Sequence, residues 1–266
     1  VLDRYNRNIN YLRISVTDRC NLRCRYCMPE EGVRLIRHED ILTYDEITAF
    51  TRVAVAAGIS KVRITGGEPL VRKGVTGLVR MIAAIDGVTD LSMTTNGILL
   101  AAYATELAEA GLMRVNVSLD SIDPVKYSYV TRGGNLYSVL EGIEAAQKAG
   151  LRPVKINCVI KSRPDESDAL KVAEYSMKEG LEVRFIRQMD LSAGTFSVVH
   201  GGSGGHCAKC NRLRLTPEGM LLPCLFSDSR FSIRELGPEE ALRQALDAKP
   251  EMGTANHVNG FYNIGG

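Results

Sequence analysis

Apolar positions along the chain follow two alternating rhythms. Short runs rich in Val and Ile recur at YLRISV (11–16), KVRIT (61–65), LSMTT (91–95), MRVNVSL (113–119), VKINCVI (154–160) and EVRFI (182–186). That composition and length are those of β-strands. Between them lie longer helix-like segments: TYDEITAFTRVAVAAG (43–58), AAYATELAEAG (101–111), YSVLEGIEAAQKAG (137–150) and DESDALKVAEYSMKEG (165–180). The first opens on a Thr-x-x-Glu cap, and all four end in Gly, which stops a helix in the left-handed conformation before the next strand begins. Six strands alternating with helices predict an α/β fold with a parallel sheet and right-handed crossovers. A partial (βα)6 TIM-type barrel is the first expectation and an open doubly wound sheet the second.

The rhythm breaks after Met189. Residues 191–205, which include GGSGG, read as a flexible Gly-rich connector. Beyond them RLRL, TPEG and MLLPC predict a hairpin with Pro217 and Gly219 in its turn, followed by a short helix over 234–247 and the Gly-rich end NGFYNIGG. The expected organisation is a barrel over 1–190, a connector over 191–205 and a small cysteine-bearing C-terminal segment over 206–266.

Composition narrows the class. A chain of 266 residues, 45% hydrophobic, can bury a large core in one main domain. A net charge of +2 lacks the basic excess of a dedicated nucleic-acid binder, so no nucleic acid is expected. No apolar run approaches the roughly 18 residues of a membrane span, and no secretory leader is visible; the expectation is a cytoplasmic protein with no membrane partner. The seven cysteines are odd in number and clustered three and three, which favours metal ligation in a reducing compartment over a disulfide framework.

Cys20, Cys24 and Cys27 directly follow the first strand, at the carboxyl end of a parallel sheet, where ligand sites gather. Three thiolates in one loop can hold three irons of a [4Fe–4S] cluster and leave the fourth open to another ligand. A zinc ion with its fourth ligand elsewhere is the alternative. Gly66-Gly67-Glu68-Pro69 follows the second strand; its glycines allow close backbone approach and Glu68 can accept from an ammonium group, although an ordinary turn would read the same. Thr94, Thr95, Asn96 and Gly97 end the third strand, and Asn116, Ser118 and Asp120 the fourth, as ligand contacts or as helix caps. The second triplet, Cys207, Cys210 and Cys224, frames Arg212 and Arg214. On a strand these two arginines share one face while Leu213 and Leu215 share the other. They form either a phosphate clamp or a solvated charged face. Cys158, inside VKINCVI, reads as a buried apolar residue.

Taken together, LRISVTDRCNLRCRYCMPEEG, RITGGEPLVRK and Cx2CNRLRLTPEG…LPCLF resemble the GTP 3′,8-cyclase family of radical S-adenosylmethionine (SAM) enzymes, over residues 1–186 and 205–266. The resemblance implies two [4Fe–4S] clusters, with SAM on the N-terminal one and the guanine of GTP on the C-terminal one. It implies a lyase-type cyclisation through a 5′-deoxyadenosyl radical, the first step of molybdenum cofactor biosynthesis. By motif position, Cys20, Cys24, Cys27, Cys207, Cys210 and Cys224 would hold metal. Tyr26, Gly66, Gly67, Glu68, Thr95, Asn96, Asn116, Ser118 and Met189 would bind SAM. Arg13, Lys61, Lys155, Arg212 and Arg214 would bind the triphosphate, and Arg13 with the terminal Gly265 and Gly266 would assist catalysis. The implied partners are GTP or another small-molecule substrate and a reductant such as flavodoxin or ferredoxin; a homodimer is a further expectation. Three departures stand out: the family carries a longer stretch before the second triplet, it reads FIE-x-MP where this chain has Phe185-Ile186-Arg187-Gln188-Met189-Asp190, and it has an aromatic where His206 stands. They keep open a second reading, a two-cluster paralogue acting on another nucleotide or a peptide.

Overall fold

The computed structural model of the protein describes residues 1–264. Its first six strands, β1 Tyr11–Ser15, β2 Lys61–Thr65, β3 Asp90–Thr95, β4 Arg114–Ser118, β5 Lys155–Ile160 and β6 Glu182–Arg187, lie side by side in sequence order and pair in parallel. The crossovers carry helices α1 Tyr44–Ala56, α2 Val75–Ala83, α3 Leu100–Glu109, the pair α4 Pro124–Thr131 and α5 Leu136–Lys148, and α6 Ser167–Lys178. This is the expected partial barrel.

The predicted helix signals are present in the backbone. Thr43 and Glu46 form a reciprocal capping box at the start of α1. Gly58, Gly111, Gly150 and Gly180 all take positive φ two residues past the ends of α1, α3, α5 and α6. Two of these crossover helices went unforeseen. Helix α2 starts at Gly74, which offers no side-chain cap, and contains a further glycine, Gly77. Helix α4 is announced by Asp123, whose carboxylate accepts from the Val125 and Lys126 amides, with Pro124 in the first turn.

Strand alternation divides the molecule into a core and a lumen. On the outer face, Leu12, Ile14, Val62, Ile64, Leu91, Met93, Val115, Val117, Ile156 and Cys158 are buried against the helices. Each such aliphatic side chain contributes ~1.5–3 kcal/mol of burial. The inner face carries the intervening polar residues, so the barrel interior is a chamber for ligand.

The C-terminal segment extends this same sheet. Strand β7, Arg212–Leu215, pairs in parallel with β1, and β8 Met220–Leu222 and β9 Phe231–Ser232 follow antiparallel. Register places Arg13 opposite Arg63 on one side and Arg214 on the other, with Tyr11 between Lys61 and Arg212. Helix α7, Pro238–Asp247, packs on α1, and α8, Phe261–Ile264, returns towards β1.

The connector touches the edge strand β6 at a single bridge: the Phe185 amide donates to the His200 carbonyl at 3.0 Å and the His200 amide donates to the Phe185 carbonyl at 3.1 Å. An edge strand presents unpartnered backbone groups, and the connector satisfies those of Phe185. Gly205 has φ +82°, and a Cβ there would sit 2.1 Å from the Ser197 carbonyl oxygen. Its glycines therefore serve close packing. Among the described residues no helix is long and apolar enough to cross a membrane.

Candidate active site

Two cavities open in the lumen and adjoin at Asn157, Ile186 and Met189, which line both. The upper one, about 180 Å³, lies at the carboxyl ends of the strands and is walled by Cys20, Cys24, Tyr26, Cys27, Gly66, Gly67, Thr95, Asn96, Ser118 and Met189. The loop after β1 thus brings the first thiol triplet against the Gly-Gly turn after β2. The lower one, about 290 Å³, is walled by Arg13, Lys61, Cys207, Cys210, Arg212, Arg214 and Cys224. Its volume falls near the low end of ligand pockets, ~300–1,000 Å³.

The first triplet suits a polynuclear group. Among the described residues no three His, Cys, Asp or Glu side chains are grouped to hold a single metal ion; a [4Fe–4S] cluster instead takes one thiolate per iron. Burial pushes the Cys24 and Cys27 thiols up to about 12, reinforced by neighbouring thiolates and, for Cys24, by Asp120. Such thiols give up their protons to a polycation and to little else. The Leu22 amide points at the Cys20 sulfur from 3.4 Å.

Tyr26 is fixed from behind. Its hydroxyl donates to Asp120 Oδ2 at 2.8 Å, and the Val159 amide donates to Oδ1 at 2.7 Å. Burial raises the Asp120 carboxyl to about 6 against these two bonds. Glu68 is fully buried and does not itself line the cavity. Its oxygens accept from the Thr95 hydroxyl at 2.8 Å, the Asn96 amide at 2.6 Å and the Leu70 amide at 3.1 Å. The carboxylate therefore ties the third strand end to the Gly-Gly turn, and burial pushes it up to about 7. Asn116, on the inner face of β4, is fully buried and lines neither cavity, its amide donating to the Met93 carbonyl at 3.3 Å.

The lower chamber is dominated by cations. Arg63, Arg13 and Arg214 are buried in one row across β2, β1 and β7. Burial and the neighbouring guanidiniums lower Arg13 well below its ordinary range and Arg214 to about 10. The chamber's acidic lining residue, Asp90, accepts two bonds from Arg114 at 2.6 and 2.7 Å. Lys155 shares the lumen face with Asn157 but pairs with Glu182 and does not line the cavity. Burial would raise Cys210, but the Lys249 and Arg212 cations outweigh it and bring its thiol down to about 7. Phe196 of the connector stacks on Phe226 at 4.5 Å over this end of the chamber.

Several lining residues were not singled out in the sequence: Tyr11, Arg63, Arg114, Arg184 and Asn157. Their signal was there, since polar residues alternate with Val and Ile in KVRIT, VKINCVI and EVRFI. Phe261 and Tyr262 bring the C-terminal end to the upper cavity; Gly265 and Gly266 lie outside the described residues. Arg187 lines the upper cavity and is exposed, and exposed His206 lines the lower one.

A polar-lumened partial barrel with a thiol triplet at its carboxyl end defines a radical SAM enzyme, and the Radical SAM superfamily profile matches residues 14–175. The Molybdenum Cofactor Synthesis C profile matches residues 154–257. The chain is 45% identical to a GTP 3′,8-cyclase of Moorella thermoacetica, covering 90% of this chain and 87% of that one. It is 42% identical to that of Thermodesulfovibrio yellowstonii, covering 88% and 87%. The chain belongs to the GTP 3′,8-cyclase family, whose enzymes use two [4Fe–4S] clusters and SAM. The aligned span with the Moorella relative, 284 residues, exceeds the 266 of this chain, so the relative carries residues absent here. A solved structure of anSMEcpe with bound AdoMet shares the fold at 15% identity, with a TM-score of 0.63 over 91% of this chain and 81% of that one.

Proposed function

We infer that this chain cyclises GTP between ribose C3′ and guanine C8, the first step of molybdenum cofactor biosynthesis. The observation that carries the reading is the buried row Arg63–Arg13–Arg214, placed directly below a thiol-lined cavity. Three guanidiniums held in register on one chamber wall match a polyanion, which takes bidentate hydrogen bonds from them. A triphosphate supplies such charge, and Lys61 and Arg212, one row below, extend the grip.

In this reading Cys20, Cys24 and Cys27 hold the SAM-binding cluster, and Cys207, Cys210 and Cys224 the second one. When bound, the first cluster and SAM supply one-electron cleavage of a sulfonium bond, with the electron drawn from a flavodoxin- or ferredoxin-type donor. The residues of the chain place the ligands. Gly66 and Gly67 admit backbone close to the methionyl end, Tyr26 and Ser118 flank the cofactor, and Met189 separates it from the substrate. The phosphate row anchors GTP from below so that its ribose meets the shared wall. The connector covers the lower chamber and keeps water from the reacting carbons.

The test is anaerobic incubation of reconstituted enzyme with SAM, dithionite and a panel of nucleotides, followed by mass spectrometry. The expected products are 5′-deoxyadenosine and a cyclised guanine nucleotide from GTP alone. Deoxyadenosine formed with GTP left intact would overturn the substrate assignment and leave the SAM chemistry standing.

A further inference from the structure

Lys249 is the largest charged side chain in the fully buried interior, 1% exposed, and it lines neither cavity. Desolvating an ammonium is unfavourable unless acceptors or opposite charge surround it. Here its Nζ donates to the Arg212 carbonyl at 2.7 Å and to the Pro223 carbonyl at 2.6 Å. Arg212 follows Cys210 by two residues and Pro223 immediately precedes Cys224. The remaining cysteine of the triplet, Cys207, is fastened by a second cation. Arg7 donates to the Cys207 carbonyl at 2.9 Å, to the Glu251 carbonyl at 3.0 Å and to the Pro250 carbonyl at 2.7 Å. Its own orientation is set by Asp3, 2.7 Å from Nε. Pro250 and Glu251 directly follow Lys249, so the two cations form one brace that reaches the backbone beside each cysteine of the second triplet.

We propose that Lys249 and Arg7 are positioning residues for the C-terminal cluster: they fix the spacing of Cys207, Cys210 and Cys224 through the backbone, and Lys249 adds a buried positive charge that favours the reduced cluster and slows its loss of iron. The proposal rests on the assignment of a cluster to this triplet. A three-thiolate [4Fe–4S] centre is anionic and becomes more so on reduction, and net charge and hydrogen bonding around the sulfurs set its potential. A brace that served packing alone would leave that potential unchanged.

The test uses the full chain carrying Cys20→Ser, Cys24→Ser and Cys27→Ser, so that the second triplet is the remaining cluster site. Iron content, chelator-driven iron release and an EPR-monitored redox titration are measured after reconstitution. About four irons per chain are expected in this parent; none would remove the two-cluster reading, and this proposal with it. Adding Lys249→Met is expected to shift the midpoint potential to more negative values and to speed iron release several-fold. Lys249→Arg should return the potential towards the parent's. Arg7→Lys keeps a cation but loses the fork, and should speed release with the potential held. An unchanged potential in folded Lys249→Met would overturn the charge role. Where Lys249→Met does not fold, unchanged release in Arg7→Lys overturns the brace.

Discussion

Arg13 stands between Arg63 and Arg214 on adjacent strands, so three guanidiniums share one wall of the chamber. Replacing one of them tests its part in binding. Arg214→Ala should weaken GTP binding by ~1.5–3 kcal/mol, the worth of charge-assisted hydrogen bonds, or about ten- to a hundredfold in Kd by calorimetry. Guanosine, which has no phosphates, should bind equally to both proteins. Glu68 gives a pH signature. Its folded carboxyl is raised to about 7, chiefly by burial, so its contribution to stability is full below the unfolded value of ~4.5 and is lost as pH rises through the folded one. The melting temperature of Glu68→Gln, relative to wild type, should therefore improve between about pH 5 and about pH 8; a difference constant with pH would show that Glu68 is not raised.

At the scale of elements, the sequence was most legible where one residue type has one physical use. The strands stood out by their β-branched runs, and four helices by glycines that the backbone does hold at positive φ. The thiol triplets and the Arg212–Arg214 pair were legible from spacing alone, and Leu213 and Leu215 do face the core. Helix α2 was hidden because Gly74 and Gly77 mask its start. For Glu68, a motif names a residue without saying whether its side chain faces the ligand or the wall behind it. The connector poses a related ambiguity: glycine permits flexibility and close approach alike, and composition does not tell them apart. Gly205→Ala discriminates between them. A Cβ would meet the Ser197 carbonyl oxygen at 2.1 Å, so the substitution should cost more than about 1 kcal/mol in chemical denaturation and weaken GTP binding through the chamber wall. A mere tether would tolerate it in both measurements.

At the scale of the molecule, the pairing of β7 with β1 joins the C-terminal cysteines to the barrel through one continuous sheet. The parallel register, which no local pattern announces, is what brings Arg214 beside Arg13. Leu213, fully buried behind β7, should report on this union. Leu213→Ala should cost ~2–5 kcal/mol, and it should do so in a single unfolding transition that fluorescence and far-UV dichroism follow together. Two separate transitions would mean that the segment folds as an independent unit. Iron analysis completes the picture: about eight irons per reconstituted chain, and about four when either triplet is replaced.

Asn157, Ile186 and Met189 wall both chambers, and this makes the two binding equilibria a single problem. A ligand that displaces any of these side chains alters the room left to its neighbour. By thermodynamic reciprocity, the factor by which GTP changes the affinity for SAM is the factor by which SAM changes the affinity for GTP. To the extent that either occupant moves these side chains, it acts as an effector for the other, without a separate regulatory site.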